Sequence, residues 1–104
     1  MNLHKSNLSK NQIIEEFGRQ ILVPGISETG QKNLGLKHLL LIGLGALGTI
    51  SSQYLVRAGI GKITLIDYDK VSLSNLHRQI NYNKSHIEEL KSEVSKKVLS
   101  NINS

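Results

Sequence analysis

Lys37-His-Leu-Leu-Leu-Ile-Gly-Leu-Gly-Ala-Leu-Gly48 is the stretch whose reading decides the fold. The apolar run from Leu39 to Ile42 has the length and composition of a buried strand, and Gly43, Gly45 and Gly48 follow it at once. At a strand-to-helix junction the first such glycine makes a tight turn, the second lets the backbone approach a phosphate, and the third lets the helix lie close to the strand. Downstream, Leu47, Ile50, Tyr54, Leu55 and Ala58 recur at helical spacing and predict the buried side of a helix that Gly59 and Gly61 end. Its unpaired N–H groups, near Ala46 to Gly48, would face an anion. A second apolar run, Ile63 to Ile66, ends on Asp67, where a carboxylate can accept from ribose hydroxyls. The plainer readings are a flexible loop at the glycines and a cap or turn role for Asp67.

The residues beyond Asp67 separate one nucleotide chemistry from another. A hydride-transferring enzyme uses its diphosphate as a handle and needs few cations beyond the helix N-terminus. Phosphoryl or nucleotidyl transfer builds charge on phosphate oxygens, which Arg, Lys or a metal must meet. Asp69, Asn75, Arg78 and Lys91 suit the second case, although each cation taken singly also reads as a solvated surface charge.

Longer motifs carry a resemblance to a known family. They are Phe17-Gly-Arg-Gln-Ile-Leu-Val-Pro-Gly25, Gly30-Gln31, Leu41-Ile-Gly-Leu-Gly-Ala-Leu-Gly48, Gly59-Ile-Gly-Lys-Ile-Thr-Leu-Ile-Asp67, Asp69, and Val71-Ser-Leu-Ser-Asn-Leu-His-Arg-Gln79. Together they resemble the ThiF/MoeB/HesA proteins, bacterial relatives of the ubiquitin-activating enzymes. The resemblance implies an α/β fold: the Rossmann-like βαβ nucleotide-binding unit of a ThiF-type domain, truncated before its third strand. It implies ATP-dependent adenylation of the C-terminal carboxylate of a ubiquitin-like or sulfur-carrier protein, with ATP and Mg2+ as cofactors. Carried over by position, Gly43, Gly45 and Gly48 hold the nucleotide, Asp67 binds its ribose, and Asn75, Arg78 and Lys91 line the triphosphate. Asp69 matches a second acid near the nucleotide. Arg19 matches an arginine that reaches a neighbouring subunit's phosphates across a homodimer interface, so the catalytic set is Arg19, Arg78 and Lys91.

The chain departs from the family pattern at one place: Gly-x-x-Lys or Gly-Gln-x-Lys is usual there, whereas Glu88-Glu-Leu-Lys91 stands here. The family's third strand and magnesium aspartate are expected beyond Ser104. On this reading residues 1–104 form one partial domain: a helical arm over 1–36, the βαβ core and phosphate loop over 37–84, and a C-terminal helix over 85–104. The corresponding expectation is a fragment incomplete for catalysis. The alternatives are a non-catalytic ATP-binding module completed by a partner chain and an NAD- or FAD-binding Rossmann fragment.

A chain of 104 residues with four aromatic side chains builds one modest core. Having no cysteine, it holds no disulfide, thiolate zinc site or thioester-forming thiol. Its net charge of +5 comes from scattered residues without aromatic interleaving, which favours an anionic nucleotide or acidic protein partner over nucleic acid. His77 and His86 lack the spacing of a metal pair, and no metal-ligating residue is expected within the chain. With neither an apolar leader nor a run approaching ~20 apolar residues, a cytoplasmic, membrane-free protein is expected.

The flanks follow from local signals. Ser9 is placed to cap a helix from Lys10 to Gly18, with Ile13, Ile14 and Phe17 on one face, and His4 reads as a tail residue. After the Pro24-Gly25 turn, a second helix is expected from Ser27 to the Asn33–Gly35 region, with Leu34 and Leu36 seeking burial. Lys70 to Asn83 reads as irregular. Ser85-His86-Ile87-Glu88 has a capping-box pattern and predicts the last helix from there. That helix would bury Ile87, Leu90, Val94, Val98, Leu99 and Ile102, with Lys91 on the opposite, polar face in its first two turns.

Overall fold

The computed structural model describes residues 8–102; His4 lies outside them. Helix α1 (Lys10–Phe17) and helix α2 (Ser27–Gly35) form an N-terminal arm, joined through a short 3-10 turn at Gln20–Leu22. Strand β1 (His38–Ile42), helix α3 (Ala46–Ala58) and strand β2 (Lys62–Ile66) make the βαβ unit, and helix α4 (Lys91–Ile102) closes the fold. Short 3-10 turns at Leu73–Asn75 and Lys84–His86 interrupt the irregular segment before α4. Among the described residues no helix is long and apolar enough to cross a membrane.

The two strands pair in parallel, from His38 against Lys62 to Ile42 against Ile66. Alternation along a strand sends Leu39, Leu41, Ile63 and Leu65 to one face, where they meet Val56 of α3 and Leu99 of α4. A second cluster, Leu44, Val71, Tyr82 and Val94, continues this core under the glycine-rich turn. On the opposite face Leu40, Ile42 and Ile66 are exposed.

Helix α3 turns a different side inward from the one its large apolar residues predict. Thr49, Ser52 and Val56 are buried, whereas Leu47 is 83% exposed and Tyr54 72% exposed, with Ile50 also exposed. The cause is the close approach that the glycines permit. Gly43 adopts φ 94°, and a Cβ on Gly48 would overlap the Gly43 carbonyl oxygen, so only small side chains fit between helix and turn. Thr49 and Ser52 fill that space, and their hydroxyls donate to the Gly45 and Thr49 carbonyls at 2.7 and 2.8 Å.

The arm follows its local signals. Ser9 caps α1, its Oγ accepting from Gln12 N at 3.3 Å while its own N donates to Gln12 Oε1 at 2.8 Å. Ile13 and Phe17, four residues apart on one face of α1, are buried, whereas Ile14, one step round the helix, and Leu36, at the C-cap of α2, are exposed. Gln20 and Gln31 both donate to the Ala58 carbonyl, at 2.8 and 2.9 Å, and so anchor the arm on the C-terminal end of α3.

Helix α4 starts at Lys91, later than the Ser85 pattern places it. Asn83 is the cap that forms, on the 3-10 turn, its Oδ1 accepting from Ser85 N at 2.9 Å. The chain then pairs with the segment after β2: Val71 N donates to Glu89 O at 2.8 Å, Glu88 N to Val71 O at 2.9 Å, and Lys91 N to Asp69 O at 2.9 Å. This pairing withholds residues 87–90 from the helix, and Leu90 is left exposed. It also holds Glu88 at φ 74°, a left-handed conformation that costs a side-chain-bearing residue about 1–2 kcal/mol. The position where the family pattern has glycine is thus one that requires a left-handed backbone. Replacing Glu88 by Gly should raise stability by about 1 kcal/mol, after part of the relieved strain is offset by glycine's unfolded-state entropy. Urea denaturation of Glu88→Gly against the parent measures it; an unchanged or lower midpoint contradicts the strain assignment.

Candidate functional site

The site assembles at the C-terminal ends of the two parallel strands, where open α/β sheets place their ligands. Gly43 N donates to Ile66 O at 2.8 Å, extending the strand pairing into the turn. One residue on, Leu44 N donates to Asp67 Oδ2 at 2.7 Å, and the other carboxylate oxygen accepts from Asp69 N at 2.8 Å. Asp67 therefore ties the glycine-rich turn to the loop after β2. A carboxylate offers about four acceptor positions, so these two bonds leave capacity for ribose hydroxyls.

Behind the turn lies a polar cluster that sequence reasoning missed. Tyr82 is buried, and its hydroxyl donates to the Leu44 carbonyl at 2.8 Å while accepting from Ser95 Oγ at 3.2 Å. Asn81 Nδ2 donates to Ser52 Oγ at 3.2 Å and Ser95 Oγ at 3.0 Å, and its Oδ1 accepts from Gln53 Nε2 at 2.9 Å. These bonds connect α3, α4 and the loop between them to the one residue, Leu44, whose N–H Asp67 also holds. Small polar residues on helices, and a single tyrosine in an irregular segment, give no sequence signal of burial.

Among the residues singled out from sequence, Gly43, Gly45 and Gly48 shape the turn, and Gly45 caps α3, whose first N–H groups open toward the site. Asp69 is exposed, and its carbonyl accepts from Lys91 N at the start of α4. Lys91 is only 6% exposed, not on a polar outer face. As the first residue of α4 its side chain runs back toward the preceding loop, as helical side chains do. No hydrogen bond or ion pair engages its ammonium group among the described residues. Asn75 Oδ1 accepts from Ser72 Oγ at 2.7 Å, and Asn75 O accepts from Arg78 N at 3.2 Å. Arg78 is exposed, with Nη1 donating to Ser74 O at 3.1 Å, so its guanidinium folds back on its own loop.

Arg19 lies elsewhere. It adjoins Gln20, which is bonded to Ala58, and it lines a cleft of about 500 Å³ with Glu15, Glu16 and Arg57. The glycine-rich turn is at the opposite end of α3, a helix about 20 Å long at 1.5 Å per residue.

The ThiF family's sequence profile matches residues 17–104. The chain belongs to the ThiF family. It is 40% identical over 98 residues to the molybdopterin-synthase adenylyltransferase of Escherichia coli (strain K12), a match that covers 94% of this chain and 39% of that protein. To the adenylyltransferase and sulfurtransferase MOCS3 of Dictyostelium discoideum it is 42% identical over 100 residues, covering 96% of this chain and 24% of the relative. Among solved structures it resembles the tRNA N6-threonylcarbamoyladenosine dehydratase TcdA of E. coli in complex with ATP. The TM-score is 0.81 at 31% identity, covering 93% of this chain and 39% of that one. The chain thus spans well under half the length of these relatives. Its α/β architecture is that of ThiF-type Rossmann-like domains.

Within this ThiF-family unit, burial raises the Tyr82 phenol from 10.0 to about 12; the Ser95 bond opposes the shift and the nearby Asp67 charge adds to it. A folded-state value above the unfolded one means that the neutral phenol's contribution to stability is complete below about pH 10 and is lost as pH rises toward about 12. Tyr82→Phe should cost about 1–2 kcal/mol at neutral pH, since the Leu44 carbonyl and the Ser95 hydroxyl lose a partner. It should also flatten the alkaline decline between those two pH values. Chemical denaturation of both proteins across that range tests this; identical alkaline profiles contradict the assignment.

Proposed function

We propose that this chain supplies the ATP-binding part of an adenylating enzyme that acts on the C-terminal carboxylate of a ubiquitin-like or sulfur-carrier protein. The observation that carries the reading is Lys91, a lysine only 6% exposed whose ammonium has no hydrogen bond or ion pair among the described residues and whose backbone N–H donates to Asp69 O at the strand ends. A cation held at the strand ends with no partner of its own among the described residues is available to an anionic ligand. The glycine-rich turn and the N-terminus of α3 provide a phosphate cradle at the same strand ends.

In the proposed reaction a carboxylate oxygen attacks the α-phosphorus of ATP, the bond from that phosphorus to the bridging oxygen breaks, and pyrophosphate leaves with an acyl-adenylate formed. A carboxylate and a triphosphate repel one another, so cations at the phosphates both lower that repulsion and stabilise the expelled group. Lys91 is the fixed cation, and Arg78, exposed on a short loop, is the mobile one. Asp67 holds the ribose with its remaining acceptor capacity, and Asn75 keeps the Arg78 loop in shape. Arg19, at the far end of α3 from the turn, serves a neighbouring subunit's nucleotide in a homodimer. ATP enters such reactions with Mg2+. Among the described residues no three acidic or imidazole groups converge to hold a metal, and Asp67 already accepts two N–H groups.

The uncovered sheet face of Leu40, Ile42 and Ile66 favours completion of this unit by further polypeptide, in the same molecule or a partner. An ATP-binding module completed in trans is therefore the second reading, and pyrophosphate exchange with an added carrier protein distinguishes the two. Exchange by this chain supports the enzyme, and its appearance only with a second chain supports the module.

ATP should raise the melting temperature while NAD does not. Lys91→Met should weaken ATP by at least about tenfold, the equivalent of one charge-assisted bond. Isothermal titration of the parent and the variant is the measurement, and equal affinities would contradict the assignment of Lys91.

A further inference from the structure

His77 has no part in the site as described so far, yet it touches the one mobile cation assigned to that site. Arg78 Nη1 lies 3.2 Å from His77 Nε2 and donates to Ser74 O at 3.1 Å, so a single guanidinium nitrogen commits both of its hydrogens to its own loop. Both side chains are exposed, and among the described residues neither forms an ion pair with an acid.

The contact selects one form of the imidazole. A guanidinium has donors and no acceptor, so His77 Nε2 must accept, which it can do only as a neutral ring with its proton on Nδ1. A protonated ring would set an N–H donor and a positive charge against the Arg78 nitrogen, and nothing would then hold the pair together. Imidazoles exchange these two forms between about pH 5 and pH 8, a range in which other unperturbed side chains keep their charge. Among the described residues Arg78 is the charged group that meets His77, and the other partner of Nη1, Ser74 O, is neutral.

The main chain beneath is held independently. Asn75 O accepts from Arg78 N at 3.2 Å and from Gln79 N at 3.0 Å, while Ser72 Oγ donates to Asn75 Oδ1 at 2.7 Å. Loss of the His77 contact therefore frees the guanidinium without undoing the loop.

We infer that His77 is a pH-sensitive positioning residue for Arg78: the neutral ring holds the guanidinium back on its own loop, and the protonated ring releases it toward an anionic ligand. The inference rests on the ATP-binding reading above, in which Arg78 is the mobile cation, and adds a control on when that cation is free. Because the held form requires the neutral ring, anion binding is coupled to proton uptake at His77, and affinity rises as pH falls.

Three substitutions separate the parts. His77→Gln keeps a side-chain acceptor at every pH, His77→Leu has none, and Arg78→Met removes the group that is held. ATP affinities of the parent and the variants are measured by isothermal titration at about pH 8 and pH 6. Every protein meets the same ligand, so the titration of ATP itself cancels in the ratios between them. From the higher to the lower pH the parent should gain about threefold relative to His77→Gln, the worth of one exposed hydrogen bond. His77→Leu should bind about threefold more tightly than the parent at the higher pH and lose that advantage at the lower one. Arg78→Met should show no gain relative to His77→Gln. Parallel profiles for the parent and His77→Gln overturn the proposal. So does parent affinity in His77→Leu at the higher pH, or a gain that survives in Arg78→Met, since the ring would then act as an added charge and not through Arg78. Nitrogen NMR of the unliganded protein should find the neutral His77 proton on Nδ1 in the parent and moved in Arg78→Met. A parent that binds no ATP overturns the reading beneath, whereas an Nε2 proton in a parent that does bind ATP overturns this one alone.

Discussion

The carboxylate of Asp67 is the constraint on which the rest of this structure depends. One oxygen accepts from Leu44 N in the glycine-rich turn and the other from Asp69 N in the loop after β2. Two parallel strands alone would leave those two connections independent. The shared acceptor fixes them relative to one another, and with them the start of α3 and the approach to α4. Leu44 is held from the other side as well, its carbonyl accepting from Tyr82. A turn clamped at both its N–H and its C=O needs little reorganisation to receive an anion, and preorganisation of this kind is what makes backbone donors effective toward phosphate.

The second organising feature is the short antiparallel pairing of residues 69–71 with residues 88–91. It delays the start of α4 until Lys91 and turns that lysine inward at the strand ends. Glu88 takes on left-handed backbone strain in the process. Stability is thus given up at Glu88, in its left-handed backbone, and at Gln79 Oε1, which is buried without a hydrogen-bond partner, both of them in the loops at the strand ends. Meanwhile the satisfied polar cluster of Ser52, Asn81, Tyr82 and Ser95 holds the same region from beneath. Strain and idle polar groups gathered around a rigidly supported turn are the pattern expected of a binding site.

Much of the βαβ unit was legible because its signals are local. The apolar run, the glycine spacing, the acid after the second run and the Ser9 cap each specify backbone shape within a few residues. Non-local contacts decided what was not legible. Large apolar residues pointed to Leu47, Ile50 and Tyr54 as the inner side of α3, but the close helix–turn approach admits only Thr49 and Ser52, and the larger residues face out. Ser85 offered a sound cap pattern, yet Asn83 caps first and the pairing with Val71 consumes the next residues. The inward turn of Lys91 followed from that displaced helix start. Of the candidate site, the glycines and Asp67 could be placed at the strand ends from sequence, as could the loop of Asn75 and Arg78. The supporting tyrosine and serines could not, since nothing in their own neighbourhood marks them as buried.

The central proposal is that this clamped turn and Lys91 together hold the phosphates of ATP. The most direct measurement is a crystal structure of the chain with a non-hydrolysable ATP analogue. The account predicts a phosphate oxygen within about 3.2 Å of Lys91 Nζ, with the phosphates lying along Gly43 to Gly45. Phosphates bound elsewhere, with the Lys91 ammonium still without an anion, would contradict it.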